Sequence, residues 1–313
     1  MYQLEIAPLY NGKIDIFNQL ILNPNKNYTV ASIDGLAPPP ANVTGMPLMS
    51  TDGQIINVHR IDVRDIVITV YINNPVRENR IALYNVLHTK QNVRLRFSNV
   101  NYNFGNMSGN AVQEEKLNRG IRDVYIDGYV ENFECDLFSM RQVAQITIKC
   151  LDPYFRDTVN RQTILSITNK KFEFSFKIAD PPGRYVSERT ELSDTQFKYL
   201  GDAPTGVEIE MDLKNSFTGA IKITDTVRNK SLSINHTWEF HDTLKINTNP
   251  GYRNITLVRK GKSQNLINAL VDGSTWISIE PGTNSIAVTT PGNKGQVKTI
   301  DAYMSIRNKY LGV

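Results

Sequence analysis

Short alternating runs dominate this sequence, with β-branched and aromatic side chains at every second position. In the run from Ile61 to Ile72, the even-numbered positions become apolar after Arg64. The alternation indicates a strand that leaves an exposed edge and enters a covered region. Similar runs, separated by Asn, Gly, Asp and Pro, recur along the chain and predict strands almost throughout.

One segment has the period of a helix instead. After Asn74–Pro75, the run RENRIALYNVLHTK places Ile81, Tyr84 and Leu87 on one stripe. Leu83 and Val86 lie beside that stripe. The pattern predicts one helix near residues 78–90, with His88 and Lys90 in its last turn, where cations suit the helix dipole.

The 313 residues suit two domains. Asp152–Pro153 interrupts the strand pattern and sets the predicted boundary, giving domains 1–152 and 153–313. The first ends with a long hairpin and contains a polar loop over residues 99–120, which is either mobile or ordered by a partner. The second is a series of short strands with regular turn signals, which indicates a β-sandwich.

Composition narrows the class of protein. The net charge of +4 is too small for a chain that coats nucleic acid. No apolar run is long enough to span a membrane, and the first residues lack a signal-peptide pattern, so we expect a cytoplasmic protein. Cys135 and Cys150 have no metal-binding spacing; free thiols are favoured over one disulfide between them.

Catalytic motifs are missing from the sequence. His236 and His241 are five residues apart, which in a strand puts them on opposite faces and argues against a metal site. Glu208, Glu210 and Asp212 share one strand face, which favours a solvated surface over a paired-carboxylate site. We therefore predict that the chain is not an enzyme and holds no cofactor or metal.

Two tryptophans, Trp238 and Trp276, both fall in the second half. A β-sandwich that binds sugar stacks exposed rings on the pyranose face, so both are candidates for glycan stacking. Packing in the sandwich core is the favoured role for either ring.

The order of several motifs resembles the Dit family of phage distal tail proteins, which are baseplate hub proteins. The motifs in the first half are YTVASIDGLAPPPANV, HRIDVRDIVITVYI, RENRIALYNVLHTK, DVYIDGYVENFECD and ITIKCLDPYF. Those in the second half are DTLKINTNPGYRNITLVRKGKSQNLINAL, STWISIEPGTNSIAV and MSIRNKYLGV. The resemblance extends over nearly the whole chain.

The resemblance implies a mainly β fold with two sandwich-like domains: a tail-tube-like ring domain with one helix, and a galectin-like or carbohydrate-module-like domain. It further implies a homo-hexameric hub at the virion tail tip, assembled in the bacterial host cytoplasm. The ring would extend the tail tube, let DNA pass through its lumen without specific nucleic-acid binding, and anchor tail-tip and receptor-binding or baseplate proteins.

A ring would also cover the strand edges that a β-rich chain leaves exposed. The candidate ring contacts lie in the proline turn, the strand after Ile61 and the polar loop. They are Pro38, Pro39, Pro40, Arg64, Ile66, Ile68, Phe104, Glu114 and Glu115. The alternative function is a carbohydrate-binding protein that grips a host cell-surface glycan through its second domain. A lectin exposes a tryptophan, whereas a hub buries both.

Overall fold

The structure, a computed structural model, describes residues 2–23, 25–49, 52–99, 122–165, 168–170, 187–189, 194–291 and 300–313. Contacts within the chain divide it into two compact units. Unit 1 comprises residues 1–158 and 309–313, and unit 2 comprises residues 159–308.

Unit 1 is built on one large antiparallel sheet. Its elements, numbered in chain order, are β1 (Tyr2–Tyr10), β2 (Lys13–Ile14), β3 (Leu20–Asn23), β4 (Tyr28–Asp34), β5 (Ala41–Pro47), β6 (Gln54–Ile61), β7 (Arg64–Ile72), α1 (Val76–Val86), β8 (Asn92–Asn99), β9 (Val124–Cys135), β10 (Val143–Cys150), β11 (Phe155–Asp157) and β24 (Lys309–Tyr310). Ten strands form the sheet, with the main path β2-β1-β8-β9-β10-β7-β4; β3 pairs with β1, and β11 joins β9 to β24.

The alternation read from the sequence decides which face of β7 is buried. Ile66, Ile68 and Val70 are fully buried, while Asp65 between them is exposed. The same side of the sheet contributes Leu95 from β8 and Ile146 from β10 to one core. The core of unit 1 therefore forms along the apolar face of a single sheet.

Helix α1 is shorter than predicted and is rotated from the predicted orientation. It ends at Val86, and His88 and Lys90 lie beyond its end; Lys90 has a positive φ of 70°. Leu83 and Val86 face the core. Ile81, placed on the predicted stripe, is 45% exposed, because the real apolar stripe is centred one position further round the helix.

Unit 2 is a sandwich of two antiparallel sheets. Its strands are β12 (Arg161–Ile164), β13 (Thr168–Lys170), β14 (Ser187–Arg189), β15 (Thr195–Tyr199), β16 (Glu208–Leu213), β17 (Phe217–Asp225), β18 (Lys230–Trp238), β19 (Thr243–Asn247), β20 (Asn254–Arg259), β21 (Lys262–Asn265), β22 (Gly282–Thr289) and β23 (Ile300–Ile306), with a 3₁₀ turn at Ile267–Ala269. One sheet has the order β12-β23-β16-β19-β20-β21, the other β15-β22-β17-β18, and β13 pairs with β14.

Alternation also fills the core of unit 2. Met211 and Leu244 from the six-stranded sheet face Ile221 and Ile234 from the four-stranded sheet in one buried cluster. The predicted run around Trp276 is not a strand; only Ile279 forms a bridge there, with Thr205. The run FEFSFKIA, which the sequence pattern predicts as a strand, lies outside the described residues.

The end of the chain is assigned differently from the predicted domains. Residues 309–313, expected in the second domain, belong to unit 1, because Tyr310 pairs with Phe155 and is buried in the unit 1 core. The mainly β fold class with a single helix is confirmed. Cys135 and Cys150 are free thiols. In the described part of the chain, no helix is long and apolar enough to cross a membrane.

Candidate assembly surface

A two-stranded ribbon extends from unit 1. Strands β5 and β6 pair from Ala41 opposite Ile61 to Pro47 opposite Gln54, with a register shift between Thr44 and Gly45. Within the described residues, neither strand joins another sheet. An isolated pair of strands is at best marginally stable in water, so the ribbon lacks the support that the other strands receive from a core.

Both faces of this ribbon carry exposed apolar side chains. Residues opposite each other in a strand pair share a face, and successive residues alternate between faces. Val43 and Ile56 therefore lie on one face, 59% and 64% exposed, and Met46 and Ile55 lie on the other, 62% and 61% exposed. A solvated ribbon has no need of apolar residues on either face, which indicates that both faces are covered in an assembly.

Three loop tips of unit 1 add to the apolar surface. Met49 at the ribbon tip, Phe17 after β2 and Phe138 between β9 and β10 are all almost fully exposed. Single exposed apolar residues are ordinary on a protein surface, so these three tips do not by themselves define an interaction site.

Nine residues are predicted as ring contacts, and eight of them divide into three groups. Pro38, Pro39 and Pro40 lie immediately before β5, and only Pro39 is partly buried. The prediction for the side chains of Ile66 and Ile68 needs correction, because both are fully buried in the unit 1 core and cannot reach another chain. Phe104, Glu114 and Glu115, with most of the 99–120 loop, lie outside the described residues.

Arg64 also needs correction, because its side chain is only 2% exposed. The guanidinium donates hydrogen bonds to four backbone carbonyl oxygens of unit 1, those of Gly35, Ala37, Pro153 and Leu311. Arg64 therefore makes its contacts inside unit 1 and not at the surface.

The two tryptophans of unit 2 occupy different environments. Trp238 is 1% exposed, and its indole N–H donates to the Gly219 carbonyl oxygen at 2.9 Å, so it cannot stack on a sugar. Trp276 is half-buried against the same core, and the Arg253 guanidinium carbon lies 5.6 Å from its ring centroid. Of the two candidates for glycan stacking, the structure leaves Trp276 with a partly accessible ring.

Comparison with known protein families gives a match within unit 2. A family model for a siphovirus-type tail component, C-terminal domain, matches residues 200–302. This part of the chain is therefore similar to the C-terminal domain of siphovirus-type tail components. The resemblance to Dit proteins read from the sequence is thereby confirmed.

One solved structure shares the fold of this chain along almost its whole length. The crystal structure of Dit from phage SPP1, titled a paradigm of the hub adsorption apparatus in phages that infect Gram-positive bacteria, matches with a TM-score of 0.63 at 13% identity. The match covers 97% of this chain and 98% of that one. A chain of the phage P2 baseplate, in its activated conformation with calcium, aligns over 100% of both chains at 12% identity and a TM-score of 0.49. No curated protein matches the sequence.

The outer face of the six-stranded sheet of unit 2 is polar, as the sequence predicts. Glu208 and Glu210 are exposed between buried neighbours on β16. A groove of about 510 Å³ runs over this face, and its lining includes Glu208, Lys245, Asn247, Asn254, Thr256 and Ser305. Lys245 pairs with Glu210 at 3.1 Å, so carboxylates, amides and hydroxyls, rather than an uncompensated cation, dominate the groove.

The described residues do not bring histidine and cysteine side chains together in one site. His236 lies on β18, and His241 lies in the turn that follows, with a φ of 69°. No group of three metal-ligating side chains is found among the described residues. Burial raises the pKa of the Cys150 thiol to about 12, so this thiol is unreactive at neutral pH.

The sequence analysis does not predict the ribbon, although the sequence contains a signal for it. Ile55 and Ile56 are adjacent, and Met46, Leu48 and Met49 are closely spaced. In a strand, two adjacent apolar residues point to opposite faces, so such a run indicates a strand that is apolar on both sides. The pattern fits a strand buried in a sheet equally well, and only the structure shows that no sheet surrounds it.

Proposed function

We propose that this chain forms a hexameric hub ring at the tail tip or baseplate of a bacteriophage. In this ring, unit 1 makes the contacts between copies, and unit 2 provides the docking platform for receptor-binding or baseplate proteins. The ring continues the tail tube towards the tail-tip proteins, and DNA passes through its lumen. The fold shared with SPP1 Dit over almost the whole chain supports this proposal, as does the family of residues 200–302.

The observation that carries the proposal is the ribbon with two apolar faces. Met46 and Ile55 on one face, and Val43 and Ile56 on the other, are mostly exposed in the single chain. A head-to-tail contact repeated around a closed ring gives every copy a partner for its ribbon and leaves none exposed. A second copy of this chain is therefore the partner that covers the apolar ribbon of every copy in the ring.

The mass of the purified protein in solution tests the ring. We expect a particle of six chains by light scattering after size exclusion, with a central hole in negative-stain images. Changing Ile55→Ser together with Ile56→Ser removes an apolar residue from each face, and we expect only monomers. Val227→Ser is the matched control, because Val227 is 57% exposed on unit 2, and this variant should still form rings. A wild-type chain that stays monomeric at every concentration, without rings on the grids, would contradict the proposal.

A second candidate function is glycan binding by unit 2, and the polar groove favours it. Carboxylates, amides and hydroxyls bind the hydroxyl groups of sugars, and a ring at the border can stack on a sugar face. Tyr303 is 40% exposed beside the groove, as the strand partner of Glu210. The groove is therefore a better sugar site than Trp238, and it does not exclude the hub.

A glycan array with the purified chain tests this second candidate. We expect Glu208→Gln and Tyr303→Ala to abolish binding of any glycan that the wild type retains. Trp276→Ala tests the site predicted from the sequence and should leave the binding unchanged. An array without a bound glycan removes glycan binding and leaves the hub proposal as it is.

A further inference from the structure

The ribbon is attached to unit 1 through two short segments, here called its roots. The first root is residues 35–40, which lead into β5, and the second is Asp62–Val63, which lead out of β6. Since the ribbon pairs with no other described strand, its direction depends on how these two roots are held.

Arg64 joins the two roots. It is the first residue of β7, directly after the second root, and its side chain turns into the unit. Its Nη1 donates to the carbonyl oxygens of Gly35 and Ala37 in the first root, the latter at 2.8 Å. One buried guanidinium thus binds the chain entering the ribbon to the chain leaving it.

The C-terminal segment Leu311–Val313 is the third part of this arrangement. Arg64 Nη2 donates to the Leu311 carbonyl oxygen at 2.6 Å. The Val313 backbone N–H donates to the carbonyl oxygen of Leu36 in the first root at 3.3 Å. Gly312 lies so close that an added Cβ would be 3.1 Å from the Leu36 oxygen. The segment therefore packs directly on the first root.

Aromatic and basic side chains hold this segment in place. Tyr310, 2% exposed, pairs with Phe155, and the Arg64 guanidinium carbon lies 4.6 Å from the Phe155 ring centroid. Arg122 donates to the Gly312 carbonyl oxygen at 2.8 Å, and its guanidinium carbon lies 4.3 Å from the Tyr310 ring centroid. The segment is thus fixed to the core of unit 1, and the root is fixed to the segment.

The chemistry of arginine suits this role. A guanidinium presents five N–H donors in a rigid plane, which lets one side chain serve several carbonyl oxygens, whereas a lysine ammonium is a compact point charge on a flexible stem. Burying such a cation is costly unless its donors are matched, and here they are used on four carbonyl groups from three separate chain segments.

We propose that Arg64 and the segment Leu311–Val313 set the direction in which the β5–β6 ribbon leaves unit 1, and so present it to the neighbouring copy. This inference rests on the proposed ring. Arg64 is a positioning residue: it touches no other chain and acts through the ribbon root. The sequence pattern singled out Arg64 as a surface contact, whereas the structure buries its side chain at the ribbon root.

Distance measurements between spin labels test the proposal on the monomeric full chain. One label is placed on the ribbon through Thr44→Cys and the other on β10 through Gln145→Cys, both exposed positions. The background carries Cys135→Ser, and Cys150 stays buried and unlabelled. We expect a narrow distance distribution for this reference protein at a concentration below that of assembly.

Two variants disturb the root in different ways. Arg64→Lys keeps the charge and loses the fork of donors, and Gly312→Leu keeps Arg64 and pushes against Leu36 and Pro38. We expect both to broaden the distance distribution and to abolish rings. Arg60→Lys is the matched control, because Arg60 lies on the ribbon with a largely exposed side chain paired to Asp62. It should leave both the distribution and the rings unchanged.

The two readouts separate the two proposals. The distances are measured in the monomer, so a chain that never forms rings overturns the proposed function and leaves the distance result in force. Distributions that stay narrow in Gly312→Leu, and in Arg64→Lys with a retained near-ultraviolet circular dichroism spectrum, overturn the positioning role even where rings form. If Arg64→Lys fails to fold, Gly312→Leu alone decides.

Discussion

The surfaces of units 1 and 2 differ in the apolar side chains that they expose. Unit 1 leaves Phe17, Met49 and Phe138 almost fully exposed and carries a ribbon without a core. On unit 2 the most exposed large apolar side chain among the described residues is Tyr252, at 70%, and its six-stranded sheet presents a polar outer face. An apolar ribbon without a core indicates a partner, whereas a polar sheet face is stable in water alone. The difference supports the proposal that unit 1 makes the contacts between copies.

The largest effect on stability is expected from the core of unit 2. Trp238→Ala should lower the free energy of unfolding of unit 2 by about 3–5 kcal/mol, because it leaves a cavity and removes the hydrogen bond to Gly219. Urea unfolding followed by tryptophan fluorescence measures this, because both tryptophans lie in unit 2. Trp276→Ala, at a half-buried position, is the control with the smaller expected loss. Equal losses of unfolding free energy in the two variants would contradict the difference in burial between Trp238 and Trp276.

The two units should also respond to opposite ends of the pH scale. In unit 1, burial raises the pKa of Cys150 from 9.0 to about 12. A raised pKa in the folded state adds stability below pH 9 that is lost as the pH rises towards 12. In unit 2, burial alone would raise the pKa of Asp242, but the hydrogen bonds from Arg259 and from the Glu239 N–H lower it overall. Its contribution is therefore lost as the pH falls below about 3.8.

Separate probes resolve this difference. Alkaline unfolding of unit 1 is followed by the reaction of the Cys150 thiol with a labelling reagent in a Cys135→Ser background. Acid unfolding of unit 2 is followed by tryptophan fluorescence. Asp242→Asn should flatten the acid profile of unit 2 and leave the alkaline profile of unit 1 unchanged. A common transition of both units at both ends of the scale would remove the distinction between them.

The smallest effect on stability is expected at the loop tips. Phe138→Ser and Met140→Ser should change the free energy of unfolding of unit 1 by no more than about 0.5 kcal/mol, because neither side chain is buried. Both should reduce self-association in sedimentation velocity, since they remove apolar surface. Tyr252→Ser on unit 2 is the control, with association unchanged. Stronger destabilisation by the tip variants would mean that the tips pack within unit 1.

The sequence by itself determined most of the strands and which side chains of a strand share a face. Alternation at β7 and β16 predicted Ile66 and Ile68 as one face, and Glu208 and Glu210 as a solvated one, because side chains in a strand alternate strictly. The order of motifs also led to the resemblance to Dit proteins, which the match of residues 200–302 confirms. Both the local periodicity and the order of motifs can be read from a single sequence.

Tertiary structure alone decided what surrounds each strand. Adjacent apolar residues at Ile55 and Ile56 fit a central strand and a two-faced ribbon equally well, and only pairing over long sequence separations distinguishes them. Arg64 looks like a surface cation in sequence, yet its partners at Gly35, Pro153 and Leu311 come from three distant segments. Burial and hydrogen bonding depend on contacts that periodicity does not encode, which is why the assembly surface and its support became visible only in the fold.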